Sequence, residues 1–245
     1  MTTYTIKKLG AVDYYHFPKE KSFSFPKEMY KWWVNQMERY VNEFLSVTYG
    51  KMPRIHVYIN NRLSSTHAWF VSYQERACPP HIEISSRMIK GAMLLTGTPD
   101  EEGAYKAVEN TLRHEAIHYA LYYLRLPHSD GYDTFEKDLY ITGTGASGAT
   151  SQNAVYKSTI PATLKTGYLA TCPVCGRESA HRTTGRYRCI NCLEEGKRHI
   201  YTAKKELMVG IEYNKERGRK EYDGNYSGEI KFPLKTIDGL ERYAK

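Results

Sequence analysis

The stretch Thr111–Leu139, "TLRHEAIHYALYYLRLPHSDGYDTFEKDL", decides which fold and which chemistry the rest of the chain has to support. It holds two histidines, His114 and His118, four residues apart, and Glu115 directly follows the first. From about Glu102 to Leu124 the chain has no proline and its apolar residues recur at helical spacing, which predicts one long helix. Because positions i and i+4 share a face of a helix, both imidazoles can point at one ion.

The spacing of these three residues is that of H-E-x-x-H metalloproteases. In such a site two ring nitrogens bind zinc, and the glutamate lies beside the metal without having to ligate it. The predicted role of Glu115 is to take a proton from the metal-bound water and to deliver it to the leaving amine. The alternative is a polar, solvent-facing turn of a helix that binds no metal.

A catalytic zinc needs a third protein ligand and one open position. The candidates lie just past the helix, in "LPHSDGYDTFEKDL", where Pro127 ends the helix and Gly131 lets the chain turn back. His128 is the better chemical ligand for zinc, whereas Asp130 and Asp133 offer oxygen atoms. The residues alone leave His128 and Asp130 open as the third ligand.

Four of the five cysteines form two C-x2-C pairs separated by thirteen residues, namely Cys172, Cys175, Cys189 and Cys192. This spacing predicts a zinc ribbon, with the thirteen residues folded as a polar β-hairpin that turns at Gly185. Four thiolates close a tetrahedral site with no open position, so the predicted zinc is structural. A thioredoxin-like redox pair is the alternative, but it expects a single C-x-x-C in a βαβ setting.

The formal net charge of +8 is concentrated in the C-terminal third. Residues 1–160 hold 18 Lys and Arg against 16 Asp and Glu, whereas residues 161–245 hold 17 against 11. This excess favours a polyanionic partner, DNA (single-stranded included) or RNA. The candidate nucleic-acid-binding residues have the aromatic Tyr187 among them in the sequence, and they are Arg182, Arg186, Arg188, Lys197 and Arg198. The alternative is a basic surface that only keeps the protein soluble.

The pattern of the whole chain predicts an α+β protein with several successive parts. A helix is predicted from Lys27, three strands between residues 54 and 85, and a shorter helix from Tyr132 to Leu139. The predicted parts are an N-terminal extension (1–25), a metalloprotease domain (26–141), a Gly/Ser/Thr-rich linker (142–165), a zinc ribbon (166–205) and a charged tail (206–245). Without a secretory signal or an apolar run long enough for a membrane span, we expect a cytoplasmic, nucleoid-associated or nuclear protein that is not secreted.

The ordered set of motifs resembles the SprT-like family, whose animal relative is the Spartan protease. The resemblance is carried by "HIEISSRMI", "LRHEAIHYAL", "DGYDTFEKDL" and "CPVCG…RYRCINC", and it covers roughly Lys27 to Cys192. It implies a zincin-like metalloprotease domain, with a small sheet packed on helices and H-E-x-x-H on a long helix, followed by the ribbon. It also implies a peptide-bond hydrolase that acts on proteins at or crosslinked to DNA, as in DNA–protein crosslink repair.

Residue by residue, the resemblance matches His114 and His118 to the catalytic-zinc ligands, Glu115 to the catalytic glutamate, and the four paired cysteines to the ribbon ligands. One motif departs from the family, whose third ligand is a histidine in patterns such as H-G-x-x-F. Counted back from Phe135, that position corresponds to Asp130, and His128 lies two residues earlier.

The leading hypothesis is therefore a zinc endopeptidase with one catalytic and one structural Zn²⁺, recruited to nucleic acid by its ribbon and basic C-terminal third. A second hypothesis is a non-catalytic, transcription-associated nucleic-acid-binding protein with a structural or vestigial metal site. A third is a zinc hydrolase for a non-peptide substrate, because the same activated water attacks other carbonyls.

Overall fold

The computed structural model describes residues 4–17, 27–63, 66–72, 78–144, 158–197, 199–203 and 206–217, with the backbone alone described for 158–161 and 214–217. Helices and sheets are both present, so the predicted α+β class is confirmed. The helices are α1 Lys27–Tyr49, α2 Ser86–Leu94, α3 Glu101–Tyr123, α4 Asp133–Ile141 and α5 Ile190–Glu194. The strands are β1 Thr5–Leu9, β2 Val12–Phe17, β3 His56–Asn60, β4 Ala68–Val71, β5 His81–Ser85, β6 Ser158–Thr171, β7 Glu178–His181, β8 Arg186–Arg188, β9 Ile200–Thr202 and β10 Leu207–Arg217.

The three predicted strands of the N-terminal half form one small sheet in the order β3-β5-β4. β3 runs parallel to β5, and β4 runs antiparallel to β5 at the edge. Alternate residues such as Val57, Ile82 and Ile84 are buried, because the side chains of a strand alternate between its two faces. This sheet packs on α3 through β4 and β5, an arrangement that the SprT-like resemblance implied.

The long helix α3 is the centre of the molecule, since it contacts the three-stranded sheet, α1, α2 and strands β6 and β10. Small residues on several sides of it allow this close approach, and those fully or almost fully buried are Ala104, Ala107, Ala116 and Ala120. α3 is therefore packed on several sides, and this packing positions the residues of its partly exposed turns.

A second, five-stranded antiparallel sheet has the order β1-β2-β10-β6-β7. It differs from the predicted division of the chain in three places. Residues 5–17 of the predicted extension form a hairpin of this sheet, β6 crosses the predicted boundary at residue 165, and β10 lies in the predicted tail. The physical reason is long-range pairing: β10 lies between β2 and β6, which no local pattern shows. Residues 145–157 of the predicted linker and 218–245 of the tail lie outside the described residues.

The predicted hairpin around Gly185 is wrong in its pairing. β7 pairs with β6, whereas β8 pairs with β9 in a separate two-stranded sheet. Each Cys-x-x-Cys pair therefore joins or adjoins strands of a different sheet. Among the described helices, none combines the length and the apolar character needed to cross a bilayer.

Candidate functional site

Three side chains of the deciding stretch converge on one point at the surface of α3. His114 Nε2 lies 3.1 Å from His118 Nε2, and Asp130 Oδ1 lies 3.2 Å from the first and 3.4 Å from the second. The histidines are one turn apart on α3, and Asp130 comes from the loop that follows the helix. The sequence brought the two histidines together; the structure adds Asp130 to them.

These distances are those expected of ligands around one tetrahedral zinc ion. With metal–ligand bonds of about 2.0–2.1 Å, neighbouring ligand atoms lie roughly 3.3–3.4 Å apart. Asp130 Oδ1 is buried but makes no well-directed hydrogen bond in the described residues. A buried oxygen facing two ring nitrogens is a suitable donor set for a cation.

The role of His128 in the structure differs from that of a zinc ligand, which its ring chemistry favoured. Its backbone carbonyl accepts a hydrogen bond from His118 Nδ1. Its imidazole instead packs edge-on against Phe70 and Tyr122, with centroid separations of 6.5 and 5.6 Å. Because a proton on Nδ1 leaves Nε2 unprotonated, this carbonyl orients His118 for metal binding.

Helix α4 holds the loop and the histidines in place. The buried Glu136 carboxylate accepts a hydrogen bond of 2.9 Å from the amide of Gly131, directly after Asp130. Gly131 has a φ of +86°, in the left-handed region that favours glycine. Phe135, fully buried, stacks on His118 with ring centroids 4.0 Å apart. This packing role of Phe135 was not predicted from the sequence, where the residue serves only to align the third-ligand motif.

Glu115 is nearly buried and points toward the edge strand of the small sheet. Its Oε2 accepts a hydrogen bond of 2.7 Å from the amide of Phe70 in β4. A carboxylate has two oxygens, so one can be held by this amide while the other accepts a proton from a water molecule. The sequence predicted Glu115 as a base and gave no sign of its partner, because β4 lies more than forty residues earlier.

The charges at this site favour a cation. Burial would raise the pKa of Asp130, but its polar contacts with His114 and His118 outweigh burial and lower it well below the usual value. Burial opposes protonation of His114, yet the carboxylates of Asp130 and Glu115 raise the pKa of His114. The cluster therefore attracts positive charge, whether that of a proton or of a metal ion.

The four predicted ribbon cysteines also converge, and their sulfurs lie within 4.8 Å of one another. Cys172 and Cys192 are 3.8 Å apart, and Cys175 and Cys189 are 3.5 Å apart. Zinc–sulfur bonds of about 2.3 Å would give a separation of roughly 3.8 Å. Four closely spaced cysteines of this kind can bind a metal ion.

The cysteine cluster has a further neighbour that the sequence analysis missed. His199 Nε2 lies 3.0 Å from Cys172 Sγ. Burial would raise the pKa of Cys172, but the amides of Cys175 and Val174, together with His199, lower it to about 6. Burial and the adjacent thiols raise the pKa of Cys192 to about 12, so a cation is needed to hold four thiolates together.

The structure places most of the candidate nucleic-acid residues on the surface. Arg182, Arg186, Arg188 and Lys197 are exposed, and Arg198 lies outside the described residues. Tyr187 stacks on His181 with centroids 3.6 Å apart. Lys197 pairs with Glu195 at 2.9 Å, which reduces its contribution to a positive surface.

Compared with known proteins, the chain matches no family model, no curated protein and no solved structure. The SprT-like resemblance therefore stays a prediction carried by the motifs, and function has to be argued from the sites themselves.

Proposed function

We propose that this protein is a zinc-dependent endopeptidase similar to SprT-like proteins, acting on proteins bound or crosslinked to nucleic acid. The observation that carries the proposal is the convergence of His114, His118 and Asp130 beside Glu115. A zinc ion held by these three ligands would lower the pKa of a bound water and polarise a substrate carbonyl.

The chain's own residues then supply the proton transfers. Glu115, held by the amide of Phe70, lies next to the three candidate ligands and is the base that removes a proton from the attacking water. The same carboxyl group returns a proton to the leaving amine. Its fixed position matters because a base is effective only within hydrogen-bond reach of the reacting atoms.

A substrate path follows from the position of β4. In the described part of the sheet, β4 is an edge strand, and its Phe70 touches Glu115. An extended peptide can add to such an edge through backbone hydrogen bonds, which read shape more than sequence. Recognition of this kind suits a protease with little sequence preference.

The nucleic-acid part of the proposal is supported by the exposed cations of the ribbon. Arg186 and Arg188 lie on the same exposed face of β8 because strand side chains alternate, and Tyr187, which stacks on His181, lies on the opposite face. Exposed arginines of this kind suit contact with phosphates, and an aromatic ring close by can stack on a base.

The experiment that tests the proposal compares wild type with Glu115→Gln. Both proteins are measured for zinc per chain and for cleavage of a histone, with and without single-stranded DNA. We expect about two zinc ions in both proteins, and DNA-stimulated cleavage in wild type only. The glutamine keeps the size of the side chain and a group that can accept from Phe70, but it removes the base.

Equal cleavage by both proteins would refute the role of Glu115. Two zinc ions with no cleavage by either protein, but binding to DNA, would favour the non-catalytic nucleic-acid-binding alternative. Cleavage that ignores DNA and salt would refute the recruitment step alone.

A further inference from the structure

A small pocket lies between the two larger sheets, and none of the candidate metal ligands lines it. Its volume is about 190 Å³. One wall comes from the N-terminal half, through His67, Ser85 and Arg87. The other wall comes from the second sheet, through residues 164–167 of β6 and 180–182 at the end of β7.

Three cationic side chains line this pocket, namely Arg87, Lys165 and Arg182. Arg87 is held in place, since its Nη1 donates 2.6 Å to the carbonyl of Arg182 and its guanidinium lies 5.2 Å from the ring of Tyr168. Lys165 pairs with Glu212 at 3.0 Å, which offsets one of the three charges. The formal charges of these four residues sum to +2.

His67 lies in the same positively charged environment. Burial, followed by the charges of Lys165, Arg182 and Arg87, lowers the pKa of His67 to about 4. At neutral pH the ring is therefore uncharged, and it offers a neutral donor or acceptor on the wall. Polar residues, such as Thr66 and Ser85, also line the pocket and can donate hydrogen bonds to an oxyanion.

We infer that this pocket binds a phosphate group. The charge of the lining matches that of a phosphate, and arginine guanidinium groups match its geometry with paired donors. The volume is below the roughly 300 Å³ at which sites for whole small molecules begin, so it suits a single phosphate group. Two sources share this chemistry: the backbone of a nucleic acid, which rests on the proposed function, and free inorganic phosphate, which does not.

The pocket adds a contact that the ribbon surface alone does not provide. The pocket joins residues of the N-terminal half of the chain, which contains α3, to residues of the five-stranded sheet. A nucleic-acid strand bound there would therefore contact both parts. His67 immediately precedes β4, the strand whose Phe70 holds Glu115. A backbone phosphate in the pocket would thus lie beside His67. This residue is three positions before Phe70, whose amide contacts the proposed base Glu115.

The test uses the full zinc-loaded chain and two probes, inorganic phosphate followed by ³¹P NMR line broadening and a labelled single-stranded oligonucleotide followed by fluorescence anisotropy. The variants are Arg182→Gln and Lys165→Gln. The matched control is Arg54→Gln, at an exposed arginine two residues before the start of β3. Because Arg182 is exposed, Arg182→Gln should leave the unfolding temperature and zinc content unchanged; Arg182→Glu is the stronger second variant.

We expect each pocket variant to bind the oligonucleotide roughly tenfold more weakly than the control, with a salt dependence reduced by about one counterion. If the pocket variants lose binding of both probes, the phosphate bound in the pocket belongs to a nucleic-acid backbone. If they lose binding of inorganic phosphate alone, the ligand is a free anion. The inference is overturned if both probes bind the pocket variants as tightly as Arg54→Gln. These measurements follow binding, so their outcome does not depend on whether the protein is a protease. If wild type binds phosphate in the pocket but binds no oligonucleotide, only the nucleic-acid part of the proposed function is refuted.

Discussion

In the proposed metal site, Asp130 supplies a charged oxygen where the motif of the resembling family has a nitrogen. An anionic ligand would partly neutralise a bound metal ion, so it would change how strongly the ion activates a water molecule. His128, two residues earlier, contributes its backbone carbonyl to His118 and its ring to the aromatic contacts with Phe70 and Tyr122. In the proposed site, Asp130 would thus act as the ligand, and His128 would orient His118.

This division gives a test of single residues. We expect Asp130→Ala to lose one zinc ion per chain, because only two protein ligands would remain. His128→Ala should retain both zinc ions, since the carbonyl that orients His118 belongs to the backbone. Zinc per chain after exhaustive dialysis, measured by atomic emission, decides between them. Loss of zinc in His128→Ala with retention in Asp130→Ala would reverse the assignment.

At the scale of elements, α4 supports the side chains that α3 presents at the candidate metal site. α4 carries both Phe135, which stacks on His118, and Glu136, which holds the amide after Asp130. Its far end is tied to α1 by a hydrogen bond of 2.7 Å from Tyr49 to Asp138. The short helix after the motif therefore acts as a support for the site.

The hairpin β1–β2 joins the second sheet through β10, and Gly210 allows the strands to approach. A Cβ at Gly210 would lie 2.7 Å from the carbonyl oxygen of Asp13 and 2.7 Å from Val12 Cγ1. One of these contacts is backbone, so the strand itself would have to shift. The position therefore requires the absence of a side chain.

We expect Gly210→Ala to lower the free energy of unfolding by about 1–3 kcal/mol, because overpacking forces β2 away from β10. Gly185→Ala is the matched control, since a Cβ there meets nothing closer than 3.5 Å. Denaturant unfolding followed by circular dichroism measures both changes. Equal stability of the two variants would show that β2 can shift to make room for the added methyl group without lowering the free energy of unfolding.

At the scale of the whole molecule, two distant parts of the chain meet at a junction of like charges. Arg87 comes from the α3-bearing half, while Lys165 and Arg182 come from the basic C-terminal third. His67 is half-buried among them, and its protonation would add a further charge to this junction. Protonation of His67 would therefore destabilise this junction.

The pH dependence of stability follows from this arrangement. The folded pKa of His67 is about 4, below its ordinary value of 6.5. Between these values the unfolded chain binds a proton that the folded chain does not, so the free energy of unfolding falls as the pH falls. For this group alone, the loss between pH 7.5 and pH 5 is about 2 kcal/mol.

We expect His67→Gln to lack this part of the acid sensitivity. The free energy of unfolding of wild type and of His67→Gln is compared at pH 7.5 and pH 5, so that loss of metal at low pH affects both proteins. His56→Gln, at an exposed histidine of β3, serves as the control. A difference between wild type and His67→Gln that stays constant with pH would contradict the burial of a neutral His67.

The sequence by itself determined what depends on local spacing. His114 and His118 share a face because an α-helix repeats every 3.6 residues, and α3 was predicted to within about a residue at either end. The predicted strands β3, β4 and β5, the helix α1, and the convergence of the four paired cysteines were also readable from local patterns. These features depend on residues that are near one another in the chain.

Only the tertiary structure decided the rest. It selected Asp130 over His128 for the point facing both histidines, because a left-handed Gly131 and a buried Glu136 fix the loop. It placed β10 between β2 and β6, so residues predicted as an extension, a linker and a tail share one sheet. It also brought Phe70 to Glu115 and formed the cationic pocket. In each case the partners lie far apart in the chain or depend on a neighbouring element's packing, and neither periodicity nor motif spacing carries that information.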